Sequence, residues 1–343
     1  MIVSEPARDH DATFREIRRV ISSFRFRCSI GGNRAGQNTA SGAGAGRWSG
    51  VLLMALGLVA CTVAASPAAA QYRLAPFKDR LFDYPGLLAG KPQDPFVIVD
   101  YDKRRDIHRR DKVLERQVHG EYVSMKPRST QEDLTLKANG RTISYMRVGR
   151  PRGAKAIVIY VHGQGGNRFQ GMNDVSFGGN FNRIKNLMVR NSGVYLTLDV
   201  KNFKDRGEAD VKALMRHYTR QAPGARVYVA CGSMGGALCW RLAKDSSASA
   251  MMGGILLMGS TWDEGYFSSS TFRAGRLPIY FGHGSWDKVY DWKKQAGFFE
   301  RLKARNPRYP ARFALFETGT HGTPIRMTDW RLILNWMFAA TGR

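Results

Sequence analysis

The chain has 343 residues, 43% hydrophobic and 11% aromatic, and a formal net charge of +25. That supply of buriable side chains excludes a wholly disordered polymer, and the length allows one large domain or two small ones. The basic excess suits anionic surfaces such as lipid headgroups, lipopolysaccharide or nonspecifically held nucleic acid, or it is simply a basic solvated surface. No zinc-finger, RNA-recognition or basic-zipper pattern accompanies it, so no specific nucleic-acid partner is expected.

The first 46 residues end in the low-complexity run GGNRAGQNTASGAGAG, which carries almost nothing that could be buried. Segment 1–46 therefore reads as disordered, or as an over-long start of the gene. Residues 47–70 read as a secretory signal. Arg47 is the positive flank, 51–65 are an apolar run too short for a comfortable membrane span, and Ala68-Ala69-Ala70 offers a cleavage site before Gln71. Leu58-Val59-Ala60-Cys61 also resembles a lipobox, so three readings stay open: simple cleavage near Ala70, lipidation at Cys61, or an uncleaved anchor or buried helix. The first two predict export to the periplasm or envelope. Residues 71–343 keep 45 basic against 24 acidic side chains, a net +21, so the basic character belongs to the exported part.

Residues 71–127 are charged and irregular, with Pro and Tyr anchors, and read as an extension packed on the core, partly helical near 103–117. The domain proper is expected over 128–343. It opens with DLTLKANGRTISYMRVG, where Asn139-Gly140 is a strong two-residue hairpin signal. Strands are then predicted at 156–163, 194–200, 226–231, 254–259, 277–284 and 312–319. Helical patterns fall at 180–191, 207–221, 234–245, 291–304 and 325–340. This alternation implies a mostly parallel sheet, covered by helices on both faces and fed by an antiparallel hairpin. Only about 17 residues separate the fourth and fifth strands, which argues against a large cap there. Of the four cysteines, Cys231 and Cys239 lie in this domain. An exported protein could bridge them, but one ends a strand and the other rides the next helix, so two buried free thiols are expected. No C-x-x-C pair points to a metal, and no cofactor is called for.

In such a sheet, sites gather at the carboxyl ends of the strands. HGQGG follows the first parallel strand, Ser233 in CGSMGG the third, Asp287 in GHGSWD the fifth, and His321 in TGTHGT the sixth. A nucleophilic hydroxyl needs a base, and the base needs a carboxylate to fix its tautomer. With these motifs in this order, residues 133–340 resemble the α/β-hydrolase superfamily, whose order is Ser, then Asp, then His. The resemblance implies Ser233 as nucleophile, Asp287 as triad acid, His321 as general base, and an oxyanion hole from the backbone N–H groups of Gln164 and Met234. His162, Gly163 and Gly165 would shape the oxyanion turn, and Gly235 and Gly236 would give the tight clearance that the nucleophile turn needs. Cys231 stands where the familiar G-x-S-x-G has its first glycine; it is small and unbranched at Cβ, so the turn tolerates it.

Asp263 and Glu264 follow the fourth strand and are alternative acids, whereas Asp199 matches the pattern poorly. His217 and His283 are given no catalytic role. Trp240, Trp262, Trp286 and Trp292 are expected in the core by default, some lining an acyl pocket. The function implied is a carboxylic-ester hydrolase acting through an acyl-enzyme on small-molecule or lipid esters, with an anionic membrane or envelope surface as its setting. A serine peptidase or amidase, or a non-catalytic envelope-binding protein keeping the fold, are the alternatives.

Overall fold

The computed structural model describes residues 71–342. The expectations for segment 1–46, the signal at 47–70 and Cys61 lie outside the described residues. The extension begins with strands β1 (Leu87–Ala89) and β2 (Phe96–Val99). A five-residue helical turn follows at Arg104–His108, and then a small hairpin of β3 (Asp111–Val113) and β4 (Gln117–Val118). The segment is less irregular than expected, since it carries four short strands, and its helical part near 103–117 is confined to Arg104–His108. FVIV is a buried apolar run at strand length and joins the sheet. The charged run after it has no apolar stripe at helical spacing; within Arg104–His108 Ile107 is the one buried hydrophobic, so helix stops after one turn.

The hairpin β5 (Glu132–Ala138) and β6 (Arg141–Val148) turns at Asn139 and Gly140, with φ of 53° and 69°. Both positive values match the two-residue turn that suits the twist of the flanking strands. There follow β7 (Ala156–Val161), α1 (Asn180–Arg190), β8 (Val194–Leu198), α2 (Asp205–Gln221) and β9 (Arg226–Gly232). After β9 come α3 (Gly236–Lys244), α4 (Ser246–Ser249), β10 (Met252–Met258), α5 (Ser270–Ala274) and β11 (Ile279–Gly284). The chain closes with α6 (Trp292–Arg305), β12 (Ala311–Phe316), α7 (Thr323–Met327) and α8 (Trp330–Ala340). The helical pattern predicted at 325–340 is thus two helices. Asp329 separates them, its carboxylate capping the Arg331 and Leu332 N–H groups of α8.

One sheet runs in the order β1-β2-β12-β11-β10-β9-β7-β8-β6-β5. From β2 to β8 every neighbouring pair is parallel; β1, β6 and β5 are antiparallel to their neighbours. The parallel strands are buried along almost their whole length, which is why they read as continuous apolar runs. Side chains alternate between the two faces. Tyr160, Tyr280 and Ala314 join the cluster under α1 and α8, while Phe281 and Phe313 stack toward Phe298 and Phe299 of α6. On α8 alone, Trp330, Ile333, Leu334, Met337 and Phe338 are buried, each worth roughly 1.5–3 kcal/mol of transfer free energy. Between β10 and β11 there is only a short turn and the five-residue α5, with no large cap. Among the described residues no helix is long and apolar enough to cross a membrane.

Candidate active site

Ser233 lies where β9 turns into α3, with φ of 51°. That is the left-handed region, costly for a residue with a Cβ, and it persists only where surroundings force it. The surroundings here are crowded backbone. A Cβ at Gly235 would lie 2.7 Å from the carbonyl oxygens of Val161 and His162, and one at Gly236 would lie 1.7 Å from the Ser260 Oγ. Ser260 follows β10, is fully buried, and donates its hydroxyl to the Ser233 carbonyl at 2.6 Å. This brace was missed in the sequence, where a serine after LLMG looks like any turn residue.

Asp287 follows β11 and His321 follows β12, so the chain brings both to the strand edge that carries Ser233. His321 Nδ1 is 2.8 Å from Asp287 Oδ2, and its Nε2 is 2.9 Å from Ser233 Oγ. A carboxylate only accepts, so Nδ1 carries the hydrogen and Nε2 is left to accept from the serine hydroxyl. Asp287 Oδ1 accepts from the Val289 and Tyr290 N–H groups at 2.8 and 3.1 Å. Burial alone would raise the Asp287 pKa. Hydrogen bonds from His283, His321 and those two amides outweigh it and hold the carboxyl well below the usual carboxylate range. It is an anion at any working pH.

The HGQGG turn lies against Ser233: a Cβ at Gly163 would sit 2.8 Å from the Ser233 Cβ. His162 fastens this turn. Its Nε2 accepts from the Val200 N–H at 3.0 Å, so Nδ1 donates to the Gly163 carbonyl at 2.7 Å. Burial lowers its pKa and keeps the ring neutral in that tautomer. Gly165 has φ of 75°, which lets the turn curl, and Gly166 N–H closes it onto the Gly163 carbonyl at 3.2 Å. Gln164 follows Gly163 on the exposed side, and half-buried Met234 follows Ser233.

The alternative acids are engaged elsewhere. Asp263 pairs with Lys244 at 2.5 Å, Glu264 with Arg301, and Asp199 with Arg168 at 2.7 Å. His217 meets Gln221 on α2. Trp240 and Trp292 are buried in the core, Trp262 is half-buried, and Trp286 beside the acid is 40% exposed. Two sequence expectations change. Cys231 and Cys239 form a disulfide rather than two free thiols, because α3 folds back over β9 and leaves their Cα atoms 6.3 Å apart, within bridging range. His283 is not a bystander: its Nε2 lies 3.2 Å from the Asp287 carboxylate. Among the described residues no group of three or more His, Cys, Asp or Glu could hold a metal ion.

Strand order, an antiparallel entry hairpin and a strained serine on the turn after β9 decide the architecture. The fold is that of an α/β hydrolase. Solved structures with the same hydrolase fold include a Pyrococcus furiosus esterase, 16% identical with TM-score 0.46, over 63% of this chain and 95% of that one. An α/β serine hydrolase homologue from Coxiella burnetii is 14% identical with TM-score 0.42, over 62% and 96%. A lidless serine hydrolase from Xanthomonas campestris is 13% identical with TM-score 0.42, over 59% and 91%. No protein-family model and no curated protein matches the chain.

Proposed function

We propose that the protein is a serine hydrolase that cleaves carboxylic esters through an acyl-enzyme. The observation that carries this reading is the continuous relay from Ser233 Oγ through His321 to the buried Asp287 carboxylate. The serine attacks the acyl carbonyl, and its proton passes to His321 Nε2. The Gln164 and Met234 N–H groups hold the oxyanion, the strongest electrostatic contribution in such a site. His321 then protonates the leaving alcohol, and later takes a proton from the water that frees the acid. Esters ask least of this machinery, because an alcohol leaves more easily than an amine.

The reading includes export to the envelope. The signal-like segment 47–70 supports it, as does the Cys231–Cys239 disulfide, a bond that persists in oxidising compartments. The net +21 of residues 71–343 suits an anionic lipid surface as the place where ester substrates are met. The test is covalent labelling with a fluorophosphonate, followed by mass spectrometry. Wild type should be labelled on Ser233 and Ser233→Ala should not. The N-terminus of the labelled protein reads out the export reading in the same spectrum, beginning at Gln71 or at a lipidated Cys61. An N-terminus upstream of residue 47 would contradict it. Comparing nitrophenyl esters with peptide anilides then separates ester from amide hydrolysis.

A further inference from the structure

We infer that His283 carries a hydrogen on each ring nitrogen and, as a buried imidazolium, positions the Asp287 carboxylate for His321; its role in catalysis rests on the hydrolase reading above. His283 is fully buried near the end of β11. Its Nδ1 lies 2.6 Å from the Gln295 side-chain oxygen. The orientation of that amide is set at its other end. The Gln295 nitrogen donates to the Ser260 carbonyl at 2.8 Å and lies 3.4 Å from the Thr261 carbonyl. Neither carbonyl can donate, so the amide oxygen faces the ring and Nδ1 must be the donor. On the other side, Nε2 faces the Tyr290 carbonyl at 3.0 Å and Asp287 Oδ2 at 3.2 Å. These too only accept.

A neutral imidazole has one hydrogen for these two positions. It would leave a ring lone pair pressed against an oxygen lone pair with no water to separate them, which is costly in a buried site. The doubly protonated ring satisfies both sides, and its charge meets the Asp287 carboxylate. A buried charge is tolerated when it is paired and hydrogen-bonded in this way. The groups facing the ring are the neutral Gln295 from α6, the Tyr290 carbonyl and Asp287 from the turn after β11, and, through Asp287, His321.

Asp287 Oδ2 is therefore shared between two histidines, at 2.8 Å from His321 and 3.2 Å from His283. Two consequences follow. The oxygen that meets His321 is gripped a second time by His283, so it stays aimed at His321. Part of its negative charge is also offset, so it favours the protonated form of His321 less than a lone carboxylate would. His283 is a positioning residue: it touches no substrate and acts through Asp287.

Nitrogen-resolved NMR of the 15N-histidine-labelled protein at neutral pH tests the protonation state without reference to activity. Two N–H signals from the His283 ring are expected, absent in His283→Gln; a single N–H would overturn the inference. The second readout is the pH dependence of fluorophosphonate labelling. In His283→Gln the acid limb should move to higher pH by about half a unit to one unit, because the offsetting charge is gone. A slower reaction with the limb unmoved would reduce His283 to packing and overturn its charge role. If the variant does not fold, the wild-type spectrum decides alone. Two N–H signals in a wild type that never labels would instead sink the hydrolase reading and leave the imidazolium standing.

Discussion

At the scale of single residues, the site depends on clearance as much as on reactive groups. Ser233 holds a left-handed backbone because the strand-to-helix turn leaves no other path, and Gly235 has carbonyl oxygens where a Cβ would go. Gly235→Ala must push the turn away from His162 and Val161, at a cost of about 1–3 kcal/mol by analogy with overpacked cores. The expected outcome is a soluble protein whose Ser233 labels at least roughly tenfold more slowly, since an ångström of misplacement is enough for that. Unchanged labelling in Gly235→Ala would mean the turn has slack that its contacts do not show. Cys231 reads differently once its partner is seen. It fits the turn by being small, and its bond to Cys239 ties the strand before Ser233 to the helix after it.

At the scale of elements, the extension is part of the site's foundation. Arg326 of α7, five residues beyond His321, is buried and pairs with Asp111 of β3 while donating to the Asp106 carbonyl at 3.0 Å. Thr318, just ahead of His321, lies 3.3 Å from the Tyr101 carbonyl. Asp111→Ala would strand the Arg326 cation and should cost about 3–5 kcal/mol, read from denaturant unfolding, and should slow labelling as the His321 loop loosens. A loss below about 1 kcal/mol would show that the pair is replaceable by solvent. None of this was legible beforehand. Asp106, Arg110 and Asp111 are charged residues in a charged run and Arg326 is a lone cation in TPIRMT, and only tertiary partners turn them into buried ones. The parallel strands were legible because burial on both faces leaves an unbroken apolar run. The short β2 was lost because Pro95 and the surrounding charges mask a four-residue run. The break at Asp329 was lost because the apolar stripe continues across it.

At the scale of the whole molecule, the order of elements brings Ser233, Asp287 and His321 to one edge of the sheet, and that order was readable from motifs alone. What was not readable is the second rank behind them: Ser260 under the elbow, and His283 and Gln295 behind the acid. Each is an ordinary polar residue until its distance to a neighbour is known. The carboxylates also set how the fold meets acid. Burial favours protonation of Asp174, Asp245 and Asp287, but their hydrogen bonds and nearby cations outweigh it, leaving all three depressed, Asp245 to about 2. At these three carboxyls the folded state therefore binds fewer protons than the unfolded chain, whose aspartates titrate near about pH 4, while burial raises Asp83 and Asp329 in the opposite direction. The stabilisation from the three depressed carboxyls is fully present above that pH and is lost as pH falls below it. Urea midpoints measured from about pH 6 down to about pH 3 should fall steadily below about pH 4; a flat profile would contradict the assigned network.

The most direct measurement is the fluorophosphonate adduct itself, located by mass spectrometry in wild type, Ser233→Ala and His321→Ala. One adduct is expected, on Ser233, absent from the first variant and slowed by at least about a hundredfold in the second. A folded wild-type protein that takes no label, or takes it on another residue, would contradict it.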